Sequence, residues 1–146
     1  MAAPISDASG EAALSLTTEA DAPVPRVRIL IAGRVNGHDV ADAFIRLYEE
    51  QPEAAAYDRL FDLTGYRSGF ELEHLQRIAP AYRRANPDPR HPCRTAFVTH
   101  DSHFNLWAKS MGFQFAGRDH RAFPTFEEAE RFLSVPIPQR EPFPSA

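Results

Sequence analysis

Ionisable and hydroxyl side chains cluster in two short segments that each follow a strand-like run. The first segment supplies Asp62, Thr64, Tyr66, Arg67 and Ser68, and the second supplies His100, Asp101 and His103. Such groups can hold a small molecule, and imidazole titrates near neutral pH. In open sheets of parallel strands, ligands bind in the crevice beyond the carboxyl ends of the strands. We therefore predict a binding site there, which Arg118 and Asp119 would join if the last helix packs back.

The same residues do not make a complete catalytic or metal-binding set. His100 and His103 are separated by an H-x-x-H spacing, but the HExxH pattern and any cysteine pair are missing. The chain also lacks a G-x-S-x-G nucleophile turn and a glycine-rich phosphate loop. We predict no catalytic residues, no metal and no cofactor. An enzyme using His100, Asp101 and Asp62 in acid–base roles is the least favoured hypothesis.

Length, composition and charge fit one folded domain. The chain has 146 residues, of which 43% are hydrophobic, and its net charge is −4. No basic block offers an electrostatic basis for nucleic-acid binding, and no apolar run is long enough for membrane insertion. The single cysteine, Cys93, excludes an internal disulfide and suits a reducing compartment, so we predict a cytoplasmic protein. The predicted organisation is a flexible N-terminus (1–12), a folded domain (13–134) and a proline-rich tail (135–146).

Strand and helix patterns alternate through the folded domain. Val27, Ile29 and Ile31 alternate with Arg28 and Leu30, which indicates a half-buried strand over 26–35. Other strands are predicted at 13–19, 59–63, 93–99 and 120–123. The first two strands are close enough to pair as an antiparallel hairpin.

Helices are predicted to follow four of the strands. They begin near Asn36, at Ser68, at residue 101 or 102, and at Thr125, with Ser68-x-x-Glu71 and Thr125-x-x-Glu128 as capping boxes. Pro80 is expected to kink or restart the second helix. The resulting order is β-β-α-β-α-β-α-β-α. It predicts a single α/β domain with a mixed, mostly parallel sheet of about five strands and about four helices.

Three strings, at 61–66, 96–106 and 126–133, carry a family resemblance. The first reads Phe-Asp-Leu-Thr-Gly-Tyr, the second runs from a strand through His100-Asp101 into a helix, and the third is the closing helix. In this order and spacing they resemble the STAS-like (SpoIIAA-like, anti-sigma-factor-antagonist-like) family, in its small, uncharacterised bacterial branch. The resemblance implies a regulatory domain. In the antagonist members a serine at the helix start is phosphorylated, but Phe70-Glu71 occupies that place here, so the phosphoswitch is predicted to be absent.

Two non-enzymatic hypotheses remain open from the sequence. The leading one is a non-catalytic regulatory or protein-interaction domain that works by contact with a protein partner, including a homodimer through apolar residues such as Phe113. The alternative is a small-ligand or lipid-binding domain, in which aromatic side chains line a pocket between helices and sheet. Its ligand would be a small apolar or anionic molecule.

Overall fold

The computed structural model describes residues 12–86, 93–101, 104, 107–108, 115 and 118–135. His103, Phe113 and most of the predicted N-terminus and tail lie outside these residues, so the proposed domain boundaries stay predictions. The described residues form strands β1 (Ala13–Glu19), β2 (Arg26–Arg34), β3 (Asp58–Asp62), β4 (Tyr66–Ser68), β5 (Cys93–Val98) and β6 (Arg118–Phe123). They also form helices α1 (Gly37–Glu50), α2 (Leu72–Ala85) and α3 (Phe126–Ser134), and a short 3₁₀ helix at Pro52–Ala56.

The strands form one mixed sheet in the order β1-β2-β3-β5-β6. β1 pairs antiparallel with β2, and the remaining pairs are parallel. β4 is an additional strand that the sequence did not predict. It pairs with β2 at Gly33 and Arg34, beyond the residues of β2 that pair with β3. The predicted α/β class, edge hairpin and mostly parallel sheet are confirmed.

The sheet is covered on both faces. Val27, Ile29 and Ile31 of β2 pack with α1 and α2 in the larger core cluster. On the opposite face Leu60, Ala96 and other residues pack against α3. β3 and β5 are therefore buried on both sides, as expected for central strands of a parallel sheet. Among the described residues, no helix is long and apolar enough to cross a bilayer.

Two of the predicted helix starts are confirmed by their caps. The Asn36 side chain accepts a hydrogen bond from the His38 amide at the start of α1 (2.9 Å). The Thr125 hydroxyl accepts one from the Glu128 amide at the start of α3 (3.2 Å). Side-chain oxygens at these positions satisfy amides that the first helical turn leaves unbonded. For the helix predicted after Asp101, the described residues 104, 107 and 108 are helical.

The predicted start of α2 at Ser68 is wrong. Ser68 lies in β4, where its carbonyl accepts a hydrogen bond from the Val35 amide (2.9 Å), and α2 begins at Leu72. Gly69 separates the two elements with φ = 117°, a conformation that residues with a Cβ rarely adopt. The Glu71 amide then donates to Nδ1 of His74 at the helix start (2.8 Å). α2 continues through Pro80 without a restart.

Candidate functional site

An apolar cavity of about 60 Å³ lies between the sheet and the helices α1 and α2. Its walls are aromatic and aliphatic, and among the described residues that line it only one is charged, Arg59. The lining consists of Ile31, Val40, Phe44, Arg59, Phe61, Leu63, Tyr66, Phe70, Leu75, Ile78, Phe97, Phe104, Trp107 and Phe115. Pockets that are mostly apolar, with a few polar groups placed in them, are typical of small-molecule sites.

The cavity has a mouth and a closed end. Tyr66, Phe70, Phe104 and Trp107 are partly exposed, whereas the other lining residues are buried. Arg59, on β3, is 4% exposed and precedes Leu63, which directly follows β3, by four residues, or about 13 Å of extended chain. The cavity therefore runs along the strands, from Arg59 inside towards Tyr66 and the carboxyl end of β3.

The segment from Tyr66 to Phe70, formed by β4 and the loop after it, shapes the mouth. The Tyr66 hydroxyl accepts a hydrogen bond from the Phe70 amide (3.1 Å). The Trp107 ring is stacked against two others. Its centroid lies 6.3 Å from that of Phe70 and 6.2 Å from that of Phe104. A Cβ on Gly69 would meet the Val35 carbonyl oxygen, so this loop can approach β2 only with glycine at that position.

Arg59 lies in a box of aromatic rings at the closed end. Its guanidinium carbon is 5.1 Å from the ring centroid of Phe115, 5.5 Å from Tyr82, 5.6 Å from Tyr48 and 6.0 Å from Phe44. Aromatic faces attract a cation at such distances, and the attraction grows when water is excluded. The rings therefore offset part of the cost of burying this charge.

The hydrogen-bonding capacity of Arg59 is only partly used. Its Nε and Nη2 atoms are buried and have no partner among the described residues. Burial, and after it the charge of Arg118, lowers the pKa of Arg59 from its ordinary value. Tyr48, Tyr82 and Cys93 act in the opposite direction and raise this pKa. No carboxylate among the described residues contributes to it. Arg59 is thus a buried cation with free donors and no described counter-ion.

Arg118 and His120 lie beside Arg59, at the amino ends of the strands. Thr95 pairs with both Arg59 and His120 across the sheet. Arg118 donates to the carbonyls of Ala55 (2.8 Å) and Tyr57 and to the Thr95 hydroxyl (3.1 Å). The expectation that Arg118 joins the crevice at the carboxyl ends is therefore wrong, because β6 begins at Arg118 itself. Burial, with the charges of Arg59 and Arg118, lowers the pKa of His120 to about 3, so His120 is neutral.

The predicted site residues that the structure describes lie at or just after the carboxyl ends of β3 and β5. Asp62 accepts from the amide and hydroxyl of Thr64 (3.0 and 2.7 Å). Arg67 and Ser68 are exposed on β4, as are His100 and Asp101 after β5. Among the predicted residues within the described ranges, Tyr66 is the one that lines the cavity.

Among the described residues, one group of metal-ligand types occurs elsewhere, where the first turns of α1 and α2 meet. His38, Glu73 and His74 have ligand atoms within 4.8 Å of one another. However, Nδ1 of His74 accepts the Glu71 amide, so the proton of a neutral ring lies on Nε2, which faces Glu73 at 3.4 Å. The guanidinium of Arg77 is 3.1 Å from Nδ1 of His38. These contacts do not fit a bound cation.

The sequence reasoning missed Arg59, which was included in a largely apolar strand. A usable signal was present, since a charged residue inside a central strand has no solvent-facing side to occupy.

The structure establishes a SpoIIAA-like α/β fold with an internal apolar cavity. No protein-family model matches the chain, and no curated protein is similar enough to count as a relative. Among solved structures, the chain is similar to an uncharacterised protein of the DUF3478 family with a SpoIIAA-like fold from Shewanella loihica PV-4. The two share 12% identity with a TM-score of 0.56, over 91% of this chain and 98% of that chain. This likeness confirms the fold that the STAS resemblance implied.

Proposed function

We propose that the protein is a binding domain for a small apolar molecule held between the sheet and α1 and α2. The observation that carries the proposal is the cavity, whose inner wall is apolar and whose mouth is made of four partly exposed aromatic residues. The apolar part of the wall holds no strongly bound water, so an apolar occupant fills it without displacing any.

The size of the cavity restricts the occupant. Engineered cavities of about 150 Å³ accept benzene, whereas this one measures about 60 Å³. A ligand of benzene size or larger exceeds this volume, so its binding requires the rings of Phe70, Phe104 and Trp107 to rotate outwards. Aromatic side chains at a mouth can make such movements without unfolding the sheet behind them.

The test uses the same substitution at two positions of α2. Leu75 is 3% exposed and lines the cavity, whereas Leu72 is 51% exposed on the surface. Leu75→Phe fills the cavity, and Leu72→Phe is the matched control. We expect the wild type and Leu72→Phe to bind the neutral fluorescent probe 1-N-phenylnaphthylamine alike, and Leu75→Phe to bind it at least tenfold more weakly.

Trp107 provides a second readout because it is the single tryptophan of the chain and lies at the mouth. Binding should change its fluorescence in the wild type and in Leu72→Phe. If the wild type binds no probe, or if Leu75→Phe binds it as well as the control does, the cavity is not a binding site. Native mass spectrometry of the freshly purified protein would identify any molecule retained from the cells.

The second candidate function is regulation by contact with a protein partner, which follows from the STAS-like resemblance. Arg67 and Ser68 favour it, because they are exposed on β4 directly beside the mouth residue Tyr66. We expect Arg67→Glu to abolish a stoichiometric complex isolated from the source cells, and Arg83→Glu, on the exposed end of α2, to retain it. Retention of the complex by both variants would contradict this role. A cytoplasmic location stays a prediction.

A further inference from the structure

The free donors of Arg59 lie on one edge of its guanidinium. Nε and Nη2 are the two unpartnered nitrogens, and both are buried. Their N–H groups point in the same direction. Such a pair can donate two parallel hydrogen bonds to the two oxygens of a carboxylate. The side chain belongs to the wall of the apolar cavity. Arg59 therefore brings a buried pair of donors that suits a carboxylate to the inner wall of the cavity.

We infer that the ligand is a small apolar monocarboxylate whose acid group binds the Nε and Nη2 edge of Arg59 and whose tail extends towards Tyr66. This inference rests on the proposed function, because it assigns the chemical class of the molecule in the same cavity. The aromatic and aliphatic walls between Arg59 and the mouth fit the tail.

The charges around Arg59 favour one negative charge on the ligand. Arg118 adds a second positive charge nearby, but its donors are bonded to the carbonyls of Ala55 and Tyr57 and to Thr95. His120 is neutral and contributes no charge. One free guanidinium edge in an apolar cavity suits a carboxylate, whereas a phosphate dianion would bring a second charge and more acceptors than the free edge can satisfy.

A neutral ligand would not neutralise the charge of Arg59. A hydrocarbon would leave both donors unsatisfied, and the alcohol of equal chain length would supply one acceptor oxygen without charge. Charge-assisted hydrogen bonds are roughly twice as strong as neutral ones. Selectivity for the acid over the matched alcohol is therefore the property that distinguishes this inference from apolar binding alone.

The experiment compares octanoate with octanol on the full chain, using Trp107 fluorescence and calorimetry. We expect the wild type to bind octanoate at least tenfold more tightly than octanol. Arg59→Met and Arg59→Gln should lose at least tenfold in octanoate affinity while they keep octanol and the neutral naphthylamine probe. Arg83→Glu, which reverses an exposed positive charge on α2 outside the cavity, should keep the preference for octanoate. A series of straight-chain acids would then report the depth of the cavity as an optimum in chain length.

The outcomes separate this inference from the proposed function. If octanol and octanoate bind the wild type equally, the acid-binding role of Arg59 is overturned, and apolar binding stands. If Arg59→Met and Arg59→Gln keep the wild-type preference, the anion binds elsewhere, and the inference also fails. If neither compound nor the probe binds, both proposals fail. Should both variants not fold, the comparison of acid with alcohol in the wild type still decides.

Discussion

The guanidinium carbon of Arg59 lies 5.1 Å from the centroid of the Phe115 ring, inside the core and without a described counter-ion. Arg118, on the strand next but one in the sheet, is equally buried but donates to two backbone carbonyls and a hydroxyl. The two arginines therefore differ in the hydrogen bonds that their guanidinium groups make. Arg118 satisfies the groups around it, whereas the Nε and Nη2 groups of Arg59 remain available for a ligand.

This difference predicts opposite effects on stability. Arg59→Met removes a buried charge and leaves no described hydrogen-bonding partner of Nε or Nη2 unsatisfied, so the free energy of unfolding of the ligand-free protein should rise by about 1 kcal/mol or more. Arg118→Met leaves the carbonyls of Ala55 and Tyr57 and the Thr95 hydroxyl without this donor, so it should lower that free energy by about 3 kcal/mol. Urea denaturation at pH 7 measures both.

If Arg59→Met destabilises the protein as much as Arg118→Met does, the aromatic box holds Arg59 as a structural cation. The main role of Arg59 would then be to pack its guanidinium against the rings of Phe44, Tyr48, Tyr82 and Phe115.

Two residues with the same sequence pattern should differ as helix caps. Thr125 bonds the Glu128 amide, so Thr125→Ala should lower the free energy of unfolding by about 1 kcal/mol. Ser68 is exposed on β4 and caps no helix, so Ser68→Ala should change it by less than about 0.5 kcal/mol. Thermal and urea denaturation of the two variants would show this contrast. Equal losses would mean that Ser68 supports α2 despite its place in a strand.

Local patterns predicted most of the fold. The alternation of Val27, Ile29 and Ile31 marked the buried face of β2, and the close spacing of β1 and β2 predicted their hairpin. Asn36 and Thr125 marked two helix starts, because a cap acts on amides only two or three residues away. Because these features depend on residues that are close in the chain, they can be predicted from a single sequence.

The positions of the residues that were assigned wrongly or missed depend on contacts with residues far away in the chain. Ser68 matches a capping box, but the Val35 amide bonds its carbonyl and Gly69 turns the chain after it, so the helix starts later. Arg59 and Arg118 come together only because β5 lies between β3 and β6. The sequence shows Arg59 as a charge inside a strand, but without the strand order it does not reveal that pairing or the position of Arg59 at the end of the cavity.

His120 should make stability fall in mild acid. Its pKa in the folded protein is about 3, against about 6.5 in an unfolded chain. Between these values the unfolded chain binds a proton that the folded protein does not. The free energy of unfolding therefore decreases as pH falls below about 6.5, by about 1.4 kcal/mol per pH unit. This residue alone should remove about 2 kcal/mol between pH 7.5 and pH 5.

His120→Leu tests this contribution, because neither ring nitrogen has a described hydrogen-bonding partner to lose. The decrease in the free energy of unfolding between pH 7.5 and pH 5 should be about 2 kcal/mol smaller in His120→Leu than in the wild type. His100→Gln, at an exposed position, should retain the wild-type decrease. Parallel pH profiles for the wild type and His120→Leu would show that His120 is protonated equally in both states. The ring would then lie in a more polar setting than its contacts with Phe97 and Phe115 imply.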